Sequence, residues 1–307
     1  MHDLIWRLIG QRANRPRSRY IVHAYVGNNH IKYKNMNRTS LAACFLLFWI
    51  ALHGQSGADS IKRVEIPNTE TFTLYSNALE TEYHIKVLLP ESYAKSDKEY
   101  PVLYLLDGDH AFAMATDIVT YMQYGNHIPE MIIVSPSYND KNGPSDGGKN
   151  QRRRDFSPFK WDMVPSNPSA SKYFAFLNDT IIAKIDNKYR TKQNNRTLWG
   201  YSRSGLFILW TLFERPGVFN KYIALDTGFH KFDELESNYH AKSDTLDATL
   251  FIGYGSLGNS KKDITFMENL SKRNYKKFKY EFKALQGEKH LMIPSTGLAL
   301  GLEFVHR

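Results

Sequence analysis

Between Arg196 and Phe213 the chain reads RTLWGYSRSGLFILWTLF, and this stretch restricts the fold more than any other. An apolar run closes on Gly200-Tyr201-Ser202, small residues follow, and a helical stretch begins. That is the form of a strand turning abruptly into a helix. A serine in such a turn is held in a strained backbone conformation, so its neighbours have to be small; Gly200, Ser204 and Gly205 meet the need. The turn lifts the Ser202 hydroxyl above the end of a strand, at the positive end of the following helix. It therefore asks for a parallel sheet with helices returning over it. Turns of this kind usually carry Gly at the fifth position, where this chain has Ser204.

The rest of the sequence has the matching rhythm. Short apolar runs at Tyr83–Leu89, Pro101–Leu106, Met131–Ser135, Tyr222–Leu225, Thr249–Tyr254 and Phe278–Phe282 read as strands, several of them continuous in the manner of a sheet buried on both faces. Between them, Ser171–Tyr189 places Phe174, Leu177, Ile181, Ile185 and Tyr189 on one helical face, and Leu206–Phe213 and Ile264–Leu270 read similarly. The expected fold is α/β, a central mostly parallel sheet with helices on both faces. Asn139–Ser171 stands apart, rich in Asn, Asp, Gly, Pro and Ser. A loop of that length in a compact domain is usually a functional rim or lid.

Charge bears on the choice of partner. The net charge of +9 invites a nucleic-acid reading, but eight of the 40 basic residues and one of the 31 acids lie before Asp59. The remainder, 32 basic against 30 acidic residues, is an ordinary enzyme surface, and no nucleic-acid function is expected. Residues 36–58 have the order of a secretory signal: Arg38, the apolar run Leu41–Leu52, then small polar residues. The run is short for a membrane span. The expected organisation is an upstream extension at 1–35 that precedes the true start, a signal peptide at 36–58, and one domain at 59–307 that is exported without a membrane anchor. Cys44 is the single cysteine, so a mature chain lacking it has no disulfide, cysteine nucleophile or thiolate metal site.

A nucleophilic Ser202 needs companions: an oxyanion loop after the third strand, an acid after the seventh and a histidine near the C-terminus. Leu105-Leu106-Asp107-Gly108-Asp109-His110 is a glycine turn directly after a strand. The backbone N–H groups of Asp109 and Arg203 are the expected oxyanion donors. His290 lies between strand Phe278–Phe282 and a helix at Pro294–Phe304. A neutral imidazole there takes the serine proton and returns it to the leaving alcohol. His110, in the oxyanion loop, is read as equally a substrate contact or a structural residue, and His230 and His240 as surface residues. No HExxH, EF-hand loop or phosphate-cradling glycine loop occurs, and neither cofactor nor metal is expected.

PVLYLLDGDHAF (101–112), RRRDFSP (152–158), GYSRSGLF (200–207) and GEKHLMIP (287–294) resemble, in order and spacing, the landmarks of the "putative esterase" family of the α/β-hydrolase superfamily, which includes enterobactin esterases and esterase D. The resemblance runs from about Thr71 to Val305. It implies Ser202 as nucleophile, His290 as base, and the Asp109 and Arg203 amides as oxyanion hole. From the family pattern Arg-x-x-Asp-x-x-Pro it also implies that Arg152 and Asp155 order the loop beside the site. The family often places its acid soon after the strand matching Thr249–Tyr254, but here no acid precedes Asp263. Asp263 is the expected acid, with Asp226 the alternative, Glu268 a further candidate, and a Ser–His pair without an acid still open.

The reaction this implies is hydrolysis of a carboxylic ester through an acyl-enzyme, with siderophore and phenolic-acid esters both within the family's breadth. An acyltransferase differs only in the acceptor. A non-catalytic binding protein of the same fold would not need Ser202 and His290 together.

Overall fold

The computed structural model describes residues 20–26, 29–36, 64–140, 150–160, 167–227, 231–257 and 261–307, with the backbone alone at 20–36 and 261–263. Two units are present, up to Glu65 and from Ile66 onward. In the first, strands β1 (Tyr20–Val26) and β2 (Asn29–Met36) pair antiparallel. The apolar run 41–52 lies outside the described residues. No described helix is long and apolar enough to cross a membrane.

The second unit is built on one eight-stranded sheet. Its strands are β3 (Thr69–Ser76), β4 (Thr81–Leu88), β5 (Tyr100–Leu105), β6 (Ile132–Ser137), β7 (Thr191–Tyr201), β8 (Lys221–Leu225), β9 (Thr245–Gly255) and β10 (Lys276–Leu285). They lie in the order β10-β9-β8-β7-β5-β6-β4-β3. Pairing is parallel from β10 to β6, whereas β4 runs antiparallel to both β6 and β3. This is the α/β-hydrolase fold.

The apolar runs are continuous because both faces are covered. Successive residues of a strand point to opposite faces. Val102 and Tyr104 of β5 accordingly enter one apolar cluster, and Leu103 and Leu105 the other. On the second face lie α1 (Gly108–Tyr124) and α8 (Ile293–Val305), packed against each other. On the first lie α5 (Arg203–Glu214) and a helix in three parts: α3 (Ala170–Phe176), a π-helical segment Leu177–Ile182, and α4 (Ala183–Lys188). Helices α6 (Phe232–His240) and α7 (Lys261–Lys272) also contribute to that cluster. Within the segment expected as a loop, Arg152–Asp155 forms a single helical turn, α2.

Helix α5 explains why its sequence is apolar all round. Every residue from Ser204 to Phe213 is buried. A fully buried Leu or Phe contributes about 1.5–3 kcal/mol, so Leu206, Phe207, Leu209 and Leu212 anchor the N-terminus of this helix firmly beneath the end of β7.

Candidate active site

The site is assembled at the C-terminal ends of neighbouring parallel strands, where open α/β sheets place their ligands. Ser202 follows β7 with φ 57° and ψ −115°, a conformation sparsely populated by non-glycine residues. The strain is held by backbone: the Ser202 N–H donates to the Leu225 carbonyl at 2.7 Å, and the Ser202 carbonyl accepts from Leu206 at 3.0 Å. A Cβ at Gly200 would lie 2.6 Å from the Ser204 carbonyl carbon, and one at Gly205 2.4 Å from Thr227 Cγ2. Both glycines are therefore required by close approach.

Strands β5 and β7 are paired neighbours, so α1 and α5 begin side by side. Asp109 is the second residue of α1 and Arg203 the first of α5. Their N–H groups belong to the first turn of each helix, where no carbonyl lies one turn back to accept them. The Asp109 carboxylate has a separate task, accepting from the backbone N–H groups of Tyr138 at 2.8 Å and Asp140 at 3.1 Å. It thereby ties the end of β6 to α1.

His290 opens a single 3₁₀ turn ahead of α8, and its imidazole is half exposed. Its Nδ1 is hydrogen-bonded to Asp226 Oδ2. The other oxygen of Asp226 accepts the Gly255 N–H at 3.2 Å, so the carboxylate is fixed from the end of β9 while it orients the ring. Asp226 directly follows β8, the sixth strand of the sheet, and has φ 44°. The acid beside His290 is thus Asp226, and the expectation of Asp263 is corrected. Asp263 belongs to the first turn of α7, its side chain lies outside the described residues, and the ring nitrogen it would serve is already taken. Glu268 sits on the exposed side of the same helix.

Arg152 clamps Asp107, donating from Nε at 2.7 Å and Nη2 at 2.9 Å, and reaches the Tyr201 carbonyl at 3.4 Å. Asp107 also accepts from Ser204 Oγ at 2.6 Å. Ser204 in turn receives the Tyr201 N–H at 2.8 Å. One carboxylate therefore joins the segment at Arg152, the turn before α1 and the turn at Ser202. Asp107 is itself left-handed, with φ 58°. Burial works to lower the pKa of the Arg152 guanidinium, but Asp107 outweighs it and holds that pKa above its ordinary value. Asp155 is fully buried, accepting from Tyr83 at 2.6 Å, Tyr138 at 2.8 Å and Arg154 Nε at 2.7 Å. Burial pushes its carboxyl up, while Arg154 and the two phenols act the other way.

The sequence alone pointed to no hydrogen-bonding role for Asp107, Tyr201 or Ser204. The departure from glycine at Ser204 was the available signal, since a hydroxyl at a position that prefers no side chain asks for a partner. His110 is exposed, and His240 ends α6, edge-on to Tyr275 at 5.1 Å; His230 lies outside the described residues.

A family model described as "Putative esterase" matches residues 76–290. The chain belongs to this esterase family. Among curated proteins, the chain is similar to the ferri-bacillibactin esterase BesA of Bacillus subtilis, 28% identical over 177 residues, covering 54% of this chain and 60% of that protein. It is also similar to the siderophore triacetylfusarinine C esterase of Aspergillus fumigatus, 28% identical over 175 residues, covering 52% of this chain and 56% of that one. The matches thus span less than two thirds of either relative. Among solved structures, the BES protein of Bacillus cereus superposes with a TM-score of 0.70 at 26% identity, covering 80% of this chain and 97% of that one. The span matched by the esterase family contains Ser202, His290, Asp226, Asp109 and Arg152.

Proposed function

We propose that the chain is a serine carboxylic ester hydrolase acting through an acyl-enzyme on siderophore-type esters. The observation that carries the reading is the pairing of a strained, helix-capping Ser202 with a His290 whose second ring nitrogen is held by Asp226. In this reading His290 removes the Ser202 proton as the oxygen attacks the ester carbonyl. The amides of Asp109 and Arg203 receive the negative charge that develops on the carbonyl oxygen. The imidazolium, stabilised by Asp226, returns the proton to the leaving alcohol, and water repeats the sequence to release the acid. Arg152, through Asp107, keeps the two helix starts that carry the amides in register.

The siderophore assignment is supported by what the two curated relatives are named for, and it is tested with a panel of esters. Trilactone siderophores, with and without iron, p-nitrophenyl esters of short acids and feruloyl esters are offered to the purified chain. The expected result is kcat/KM at least about tenfold higher for a siderophore ester than for the others. A preference for feruloyl or simple acyl esters would overturn the substrate class and leave the ester chemistry standing. Transfer to an added alcohol in preference to water would identify an acyltransferase instead.

The same reading takes residues 36–58 as a removable export signal, supported by the short apolar run with a basic residue before it. Mass spectrometry of the protein from its native host is expected to give an N-terminus near Asp59. Peptides from residues 1–35 in the mature protein would contradict the assignment.

A further inference from the structure

We propose that Tyr201 is a positioning residue that fixes the orientation of the His290 imidazole; the inference rests on the reading of Ser202 and His290 as nucleophile and base. A base in a single exposed turn needs more than one restraint. The bond to Asp226 defines one axis and leaves the ring free to swing about it. The residues flanking His290 supply no cover, since Lys289 is exposed and Leu291 is 85% exposed.

Tyr201 supplies the missing restraints on both sides of the His290 Cα. Its ring lies against the imidazole, with centroids 4.7 Å apart and planes inclined by 35°. Its hydroxyl donates to the His290 carbonyl at 2.6 Å. Ring contact limits rotation of the side chain, and the hydrogen bond pins the backbone from which that side chain grows. An aromatic face also suits the imidazolium formed during the reaction. Burial, together with Asp226, pushes the Tyr201 phenol up, so it stays a donor at working pH.

Tyr201 is itself rigidly placed. It ends β7 in register with Leu225, the residue before Asp226, and its N–H is bonded to Ser204 Oγ. The residue that touches the base is thus the chain neighbour of the nucleophile. A tyrosine here measures the position of His290 from the same turn that presents Ser202, so the two reacting groups share one frame. Displacement of a reacting group by about 1 Å costs on the order of 10²-fold in rate.

The test compares Tyr201→Phe and Tyr201→Leu with the unaltered full chain and with Ser202→Ala, using p-nitrophenyl butyrate. Readouts are kcat, KM, melting temperature and the downfield proton resonance of the His290 Nδ1–H. Tyr201→Leu is expected to lower kcat by roughly 10²-fold while KM stays within about threefold and the melting temperature barely moves. Tyr201→Phe, which keeps the ring, should recover most of that loss and leave a deficit of about three- to tenfold. The resonance should persist in the phenylalanine variant and broaden away in the leucine variant. A leucine variant within about twofold of the unaltered kcat overturns the proposal, as does a rise in KM with kcat unchanged, which would make Tyr201 a wall of the substrate pocket. Should the leucine variant not fold, the phenylalanine variant decides, and a loss below about twofold overturns the proposal. An unaltered chain with no turnover that depends on Ser202 would overturn the underlying hydrolase reading, an outcome distinct from either.

Discussion

Ser202→Ala is expected to lower ester turnover by about 10⁶-fold, to the level left by substrate binding and the oxyanion amides alone. The size follows from the chemistry: alanine has no oxygen to form the acyl-enzyme, and no nearby group can be recruited into the same position. The fold should be unaffected. The contacts by which Ser202 holds its turn are made by its backbone N–H and carbonyl, and alanine keeps both as well as the Cβ. Its melting temperature should lie within a few degrees of the unaltered protein, and a fluorophosphonate probe should label the unaltered chain at Ser202 alone. Labelling of another serine, or residual turnover above about a hundredth, would remove Ser202 from the role of nucleophile.

Asp226→Asn should lower kcat by about 10⁴-fold, while Asp263→Asn should leave it within about threefold. An amide at 226 can still accept the Gly255 N–H through its oxygen, so the end of β9 stays anchored. It then presents its NH₂ to His290 and favours the tautomer whose Nε2 carries the proton, the wrong one for a base. It also cannot stabilise the imidazolium. Asparagine tolerates the positive φ at this position as well as aspartate does, so the change is electrostatic with little backbone strain. A loss below about tenfold at Asp226 would mean that serine and histidine work as a pair. A large loss at Asp263 alone would restore that residue as the acid.

The strands that build the floor of the site were legible because their apolar runs end at Pro, Gly or Asp and are too uniform for a half-exposed sheet. Strand β3, TETFTLYS, was not, since an edge strand with half of its side chains exposed carries only a brief apolar alternation, Phe72 and Leu74. Helix α1 was missed although Ala111, Phe112, Ala115 and Val119 keep helical spacing; the glycine turn before it drew attention to the loop instead. The strand-to-helix turn at Ser202 was readable because its demands are local, set by residues within three positions of Ser202. The acid was not, because its identity depends on which strand end lies against a histidine 64 positions away. The position expected after the strand Thr249–Tyr254 favours Asp263. The sheet order decides otherwise, because β8 lies between β7 and β9 and brings Asp226 to the turn of His290.

The carboxylate of Asp107 also constrains descent. Rim segments of enzymes commonly drift, and drift there is how related proteins come to prefer different substrates. Here the first turn of the rim, at Arg152, is fastened to the carboxylate of Asp107, the residue before α1, whose Oδ2 also accepts from Ser204. Inherited changes at these three positions are consequently not independent trials. Loss of one partner leaves a charge or hydroxyl stranded, and a second loss at the same knot removes less than the first. New specificities should therefore arise on side chains that project from the rim beyond the knot, such as the exposed Arg153, while Arg152, Asp107 and Ser204 persist or disappear together.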